Sequence, residues 1–287
     1  MKKYNYALLF AFIIIMTSGC STKYMVRGLS DFHKSSKLIS KSLGGVFSEI
    51  IDEDMELRAE KSIKKSSISI SDLEPAIISF ENLKLRKEMI NLIVEYSGLL
   101  NALFEKDHAY LVREYGDGLR KSLNNIYTYK VNSISKETVG LISTLITMVP
   151  EGVIFMKKKK FALRLMIKMQ EVIEDISSTL KSEIESLELL YSNLYTRLFR
   201  IKVEDKWSQK EDKRLKYALA GLRIIKRRER FGELIKELLK TMDVFPLAHK
   251  KLMNSFKRNG SVLLGVDELL NYSYRLKSSY DIFVSGE

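Results

Sequence analysis

Cysteine, proline and glycine are all scarce in this 287-residue chain, which holds one, three and fourteen of them respectively. A single cysteine excludes an intrachain disulfide and any zinc site built from cysteine ligands. So few breakers leave little room for a sandwich of short strands and turns, a collagen-like repeat or a Gly/Pro-rich linker. Histidine is equally sparse, limited to His33, His108 and His249. A Gly-x-Ser-x-Gly elbow, a Walker loop and a dinucleotide fingerprint are all missing. What the chain does have is a hydrophobic share of 45% and a charged share of 29%. That balance supports a folded chain and excludes wholesale disorder.

Few runs alternate at period two for the length of a strand, whereas apolar residues recur at helical spacing nearly throughout. Met25, Leu29, Phe32, Ile39, Leu43, Val46 and Ile50 form one stripe, with Ser36 filling the missing step. The stripe predicts a helix of about 35–40 residues, with Gly44-Gly45 as a weak or kinked point. Residues 62–71 read as a loop, and Ser71 with Glu74 stands at capping-box spacing ahead of a helix that carries Ile78, Leu85, Met89, Leu92, Tyr96, Leu99 and Leu103. Gly116-Asp117-Gly118 predicts a break or bend in its continuation towards Tyr129, and residues 130–136 another loop.

From Leu165 to Ile201 the steps of three and four continue without interruption, which predicts a helix of about 37 residues. A turn is expected over residues 205–213, around Trp207. A helix then runs from Leu215 to Met242, followed by a bend at Phe245-Pro246, a shorter helix from Leu247 to Phe256, a turn at Asn259-Gly260 and a last helix over 262–280. No internal repeat of solenoid length is visible. The fold class expected is all-α, an elongated bundle of several long amphipathic helices, with residues 20–287 as a single domain behind a short N-terminal tether.

The N-terminus reads differently from the rest. Lys2 and Lys3 precede the ten apolar residues Ala7–Met16, and Thr17-Ser18-Gly19-Cys20 follows. As a helix that run is about 15 Å long, well short of a hydrocarbon core of about 30 Å, so it suits an export signal rather than a membrane span. Thr17-Ser18-Gly19-Cys20 resembles the lipobox of bacterial lipoproteins, in which small residues precede a cysteine that is acylated and becomes the mature N-terminus. Thr17 stands where the commonest form of that motif has leucine, with Met16 one position earlier. The resemblance covers these twenty residues only, and Thr17 and Gly19 also fit the small-residue cleavage of ordinary secretion, which would leave Cys20 a free thiol. The resemblance implies that 1–19 is a signal peptide, that Cys20 carries the lipid and that acyl chains anchor the mature protein to a membrane. Ser21, rather than aspartate, after the cysteine implies an outer-membrane destination by the sorting rule of enteric lipoproteins.

The formal net charge is +12, and loss of 1–19 would remove two lysines and no acid. An exported basic protein meets anionic lipid, lipopolysaccharide or acidic wall polymer before it meets nucleic acid, and no nucleic-acid-binding signature is present. The charge is concentrated. Lys213, Arg214, Lys216, Arg223, Lys226, Arg227, Arg228 and Arg230 are opposed locally by Glu229 alone, and Lys157, Lys158, Lys159 and Lys160 form a second run. Asp52, Glu53, Asp54, Glu56 and Glu60 form an acidic counterpart. Each run can be read as a solvated helix face or as a docking surface. Arg223, Lys226, Arg227, Arg228 and Arg230, with Lys157–Lys160, are the candidates for binding an anionic partner.

Residues 139–155 are the most hydrophobic stretch behind the leader, but Pro150-Glu151-Gly152 prevents them from spanning a bilayer as one straight helix. They can form a helix buried on all sides, or a turn between two buried helix ends. Alternatively they form the apolar tip of a membrane-inserting hairpin with Lys157–Lys160 beneath it, an arrangement similar in layout to helical pore-forming toxins.

Catalytic groups are thin. Glu105 and His108 have the spacing used by di-iron bundles, but neither His33 nor His249 supplies the second motif such a site needs. Glu171, Glu174, Asp175, Glu183, Glu185 and Glu188 read as a solvated face rather than as paired catalytic carboxylates. The expectation is a non-enzymatic binding or scaffold module at the cell envelope, with no metal, cofactor or small-molecule substrate and with an envelope protein or anionic polymer as partner. The membrane-active hairpin and an exclusion or immunity lipoprotein are the alternatives.

Overall fold

The computed structural model describes residues 2–63, 68–105, 109–128, 134–147, 155–207, 211–258 and 263–286, with the side chains of 2–23, 155–156 and 263–265 outside that description. The fold is all-α. Its helices are α1 (Lys2–Ser62), α2 (Phe80–Ala102), α3 (Ala109–Thr128), α4 (Lys136–Thr147), α5 (Phe155–Phe199), the single turn α6 (Asp205–Trp207), α7 (Arg214–Arg258) and α8 (Leu263–Ser285). No strand occurs among the described residues.

Two compact units divide the chain. The first is made of residues 1–37, 91–175 and 244–271, and the second of 38–90, 176–243 and 272–287. In the first unit Phe32, Tyr96, Leu99, Leu119, Leu123, Met169, Leu252 and Phe256 are buried, and Phe32 stacks on Phe245 at 5.2 Å between ring centroids. In the second the buried set includes Phe47, Ile50, Ile184, Tyr191, Phe231, Leu234, Leu238 and Phe283, with Tyr191 against Phe231 at 3.7 Å.

The α1 stripe is buried at every step expected. Ser36 is tolerated there because its hydroxyl donates to the Phe32 carbonyl at 2.9 Å, which spares the core an unmatched polar group. Gly44-Gly45 does not break the helix. Gly45 is where the ring of Tyr280 approaches: a β-carbon there would lie 2.1 Å from the Tyr280 hydroxyl oxygen. On α5, Leu165 to Leu198 are buried as the periodicity predicts, but Ile201 is only half-buried and Val203 is buried in its place. The reason is a wider turn over Arg200–Glu204, bonded five residues apart, which rotates the apolar stripe.

Three expected interruptions are absent or displaced. The capping arrangement lies two residues earlier than Ser71/Glu74: the Asp72 carboxylate accepts the Ser69 amide at 3.0 Å around a single tight turn, Ile70–Asp72. α2 begins only at Phe80, where the Ser79 hydroxyl accepts the Asn82 amide at 3.2 Å. The buried Asp54 explains the delay, because its Oδ2 accepts the amides of Ala76 and Ile77 at 2.5 and 3.1 Å and holds them out of a helical ladder.

Gly116-Asp117-Gly118 does not break α3. Gly116 is buried, and a β-carbon on it would lie 2.8 Å from Cγ2 of Ile146, so the missing side chain lets α4 approach closely. Pro246 does not bend the chain into two helices either, since α7 is continuous around it. A proline in a helix interior costs about 3 kcal/mol. Here Phe245, Ala248 and His249 on both sides of it are buried, and their packing holds the helix.

α4 is not buried on all sides, as one reading of 139–155 required. Val139 and Ile142 are buried while Leu141 is half-exposed, the pattern of a helix with one covered face. Residues 148–154, the tip of the supposed hairpin, lie outside the described residues, as do His108, Tyr129 and Asn259-Gly260.

Candidate functional site

The candidate surface is the N-terminal half of α7, in the second unit. At 100° per residue, Phe231, Leu234 and Ile235 point towards the core and are buried, and Gly221 lies against Phe199 and Val203. Leu215, Leu219, Leu222 and Lys226 share the opposite side within an arc of about 60°. All four are exposed, the leucines to 72%, 48% and 54%, with Ile225 at 46% beside them. Lys216 and Arg223 border this stripe and are exposed, as is Arg228, which donates to the Ser192 hydroxyl at 3.0 Å. Arg230 is half-buried.

Arg227 behaves differently from its neighbours. Its guanidinium turns inward, donating from Nε to Glu53 and from Nη2 to Glu49 at 2.8 Å, and it lies 4.7 Å over the ring of Phe283. The Tyr195 hydroxyl donates to that of Tyr191 at 2.8 Å beside it. Burial works against the Arg227 charge, but the Glu53 carboxylate outweighs it and holds the guanidinium above its usual range. Burial also raises the Glu53 carboxyl, against the pull of Tyr191 and Arg227, and leaves the Glu53 Oε2 atom without a hydrogen bond.

The acidic run at the end of α1 is therefore not simply a solvated face. Glu53 and Asp54 are buried, Glu53 on Arg227 and Asp54 on the turn before α2, and Lys202 pairs with Glu56 at 2.7 Å and Glu60 at 3.4 Å. The signal was present in the sequence: Glu53 falls on the apolar stripe between Ile50 and Leu57, a position where a charged residue needs a partner.

Lys157–Lys160 open α5 and belong to the first unit. Lys157 and Lys160 are exposed and Lys158 and Lys159 half-buried, and partial burial pushes the Lys159 ammonium down. Cys20 lies along α1, with its side chain outside the described residues.

Two histidines form the polar interior of the first unit. His249 Nδ1 lies 2.6 Å from Gln170 Oε1, and Nε2 lies 2.6 Å from the Tyr96 hydroxyl. Gln170 Oε1 only accepts, so the assignment that satisfies all three groups is a neutral ring with its proton on Nδ1. His33 repeats the pattern: Ser97 donates to the Val94 carbonyl, which leaves its oxygen to accept from His33 Nδ1 at 3.0 Å, with Tyr115 at 3.4 Å from Nε2. Burial lowers His249 to about 3, and burial followed by the Lys37 charge lowers His33 to about 4.

Two of the carboxylates named along α5 are engaged by neighbours. Glu183 is bound to Arg86 at 2.7 Å in the second unit, and Glu174 accepts from Gln170 at 2.6 Å in the first. Among the described residues no group of three or more His, Cys, Asp or Glu is placed to hold a metal ion, and no helix is long and apolar enough to cross a membrane. Comparison with protein-family models, with curated proteins and with solved structures found no match for this chain.

Proposed function

We propose that this chain is a non-enzymatic protein of the bacterial cell envelope, held to a membrane by acyl chains on Cys20 and presenting the basic face of α7 to an anionic partner. The observation that carries the reading is the position of the only cysteine, directly behind a ten-residue apolar run and Thr17-Ser18-Gly19. Two or more acyl chains anchor a protein stably, so no transmembrane helix is required. Exposure of Arg223 and Lys226 supports the docking role; Arg228 is exposed at the far edge of the helix, bonded to Ser192, and Arg227 belongs to the fold rather than to the face. The internal pairing of His33, His249 and Glu183 supports a non-catalytic reading, since each is taken up by a neighbour.

Intact mass and palmitate labelling test the anchor. The expected product begins at Cys20, carries the added lipid mass and loses the label in Cys20→Ala; an unmodified thiol overturns the reading. For the face, Arg223→Glu/Lys226→Glu/Arg228→Glu, with Arg227 intact, is expected to weaken sedimentation with isolated envelopes at low ionic strength. Unchanged binding there removes the docking role.

A further inference from the structure

Single exposed apolar residues are ordinary on a protein surface. Leu215, Leu219 and Leu222 are not arranged singly. They occupy one line along α7 on the side away from the core, Ile225 adds to one edge, and Lys216, Arg223 and Lys226 border or continue the line. Of the eight cations from Lys213 to Arg230, Arg227 turns inward to Glu49 and Glu53 and Arg214 pairs with Glu211 at 3.6 Å, which leaves Lys216, Arg223 and Lys226 as the cations beside the leucine line. An apolar centre with cationic edges is the layout of a helix lying in a bilayer interface, where long lysine and arginine stems reach out to phosphates while leucines enter the acyl boundary.

We infer that residues 214–228 of α7 lie on an anionic lipid bilayer, with Leu215, Leu219 and Leu222 entering the headgroup boundary and Lys216, Arg223 and Lys226 meeting lipid phosphates. This rests on the basic-face reading above and names its partner. A protein partner would need an apolar centre ringed by acids shaped to this one line, and a purely acidic patch would match the cations alone. A neutral groove would take the leucines and leave the cations unmatched. An anionic bilayer matches both in one contact.

The test places a reporter in the stripe. Trp207 is the only tryptophan, so Trp207→Phe/Leu219→Trp in the full chain puts the sole indole on this face. The protein is reconstituted with vesicles of phosphatidylglycerol and phosphatidylcholine, or of phosphatidylcholine alone, each carrying a shallow nitroxide-labelled lipid. The expected result is a blue-shifted emission and strong quenching on the anionic vesicles. The quenching constant is expected to be at least about fivefold lower on the zwitterionic ones and in Arg223→Glu/Lys226→Glu, the factor one cation contributes at an anionic surface. Leu215→Gln/Leu222→Gln is expected to remove the quenching with helicity by circular dichroism unchanged. Absent quenching on anionic vesicles, equal quenching on both lipids, or quenching that survives the leucine substitutions overturns the inference. If it falls while Arg223→Glu/Lys226→Glu/Arg228→Glu still weakens envelope binding, the basic face stands with a partner other than lipid. If envelope binding is also unchanged, both readings fall.

Discussion

In the unit formed by residues 1–37, 91–175 and 244–271 the buried polar groups are neutral: His33 with Ser97, and Tyr96 with His249 and Gln170. In the unit formed by 38–90, 176–243 and 272–287 buried hydroxyls such as Tyr191 and Thr241 are joined by buried carboxylates that reach towards partly exposed cations: Glu53 with Arg227, and Glu237 with Arg275 at 2.7 Å, beside the half-buried pair Arg86 and Glu183. The same physical requirement, that a polar group leaving water must find a partner, is met in two ways with different weaknesses. A neutral network fails when a proton is forced onto it. An ionic one fails when either partner is removed, because the remaining charge is left stranded.

A single substitution tests the ionic side. Arg227→Met leaves Glu53 without its cation and is expected to cost about 2–3 kcal/mol in urea unfolding, the low end for buried pairs because the guanidinium is partly exposed. Adding Glu53→Gln to that variant is expected to recover most of the loss. If Arg227→Met is neutral, the ions do not distinguish the second unit.

Acid tests the neutral side. The unfolded chain binds protons on histidine near pH 6.5, whereas folded His33 and His249 resist until about 4 and about 3. Between those limits the unfolded state holds more protons, so stability is complete above about pH 6.5 and falls as pH decreases through the window. The fully buried His249 alone sets a limiting slope of about 1.4 kcal/mol per pH unit. Stability measured from pH 7 to 5 should show the decline, and His33→Asn/His249→Gln should flatten it. Glu53 has the opposite sign: its raised carboxyl favours the neutral form, so its own contribution falls as pH rises past the ordinary carboxyl range.

Two adjacent glycines give a smaller contrast within the second unit. A side chain at Gly44 meets nothing within 4 Å, so Gly44→Ala is expected to raise stability by about 1 kcal/mol through helix propensity. Gly45→Ala is expected to lose that gain or more, because the Tyr280 ring must move. Smallest of all, Arg223→Glu/Lys226→Glu should change thermal stability by less than about 0.5 kcal/mol, since both side chains are exposed. A large loss there would mean the face is structural.

Much of this was legible in the residues themselves. The stripes on α1 and α5 follow from spacing alone, because a long helix with one covered face imposes its period on every buried position; even Ser36 could be placed. Gly116 and Pro246 were misleading for a common reason. Local preference favours interruption at both, but the packing that overrides it comes from residues far away in sequence, Ile146 in one case and Phe32 in the other. The inward turn of Arg227 was visible only indirectly, through Glu53 on an apolar stripe. The outward leucines of α7 could not be told from core leucines without knowing which side of the helix is covered.

α1 runs without interruption through residue 20 to Met25, the first buried side chain described on it. On the reading that Cys20 bears acyl chains, about 7.5 Å of rigid rod separates the lipid attachment from the folded body. The azimuth of the body about α1 is then set by helical phase, and one residue inserted between Cys20 and Met25 would turn it by about 100° relative to the attached chains. Four inserted residues would nearly restore the original facing while lifting the body by about 6 Å. The count of residues behind the attachment would thus be a second determinant of orientation at the membrane, beside the lipid contact inferred for α7.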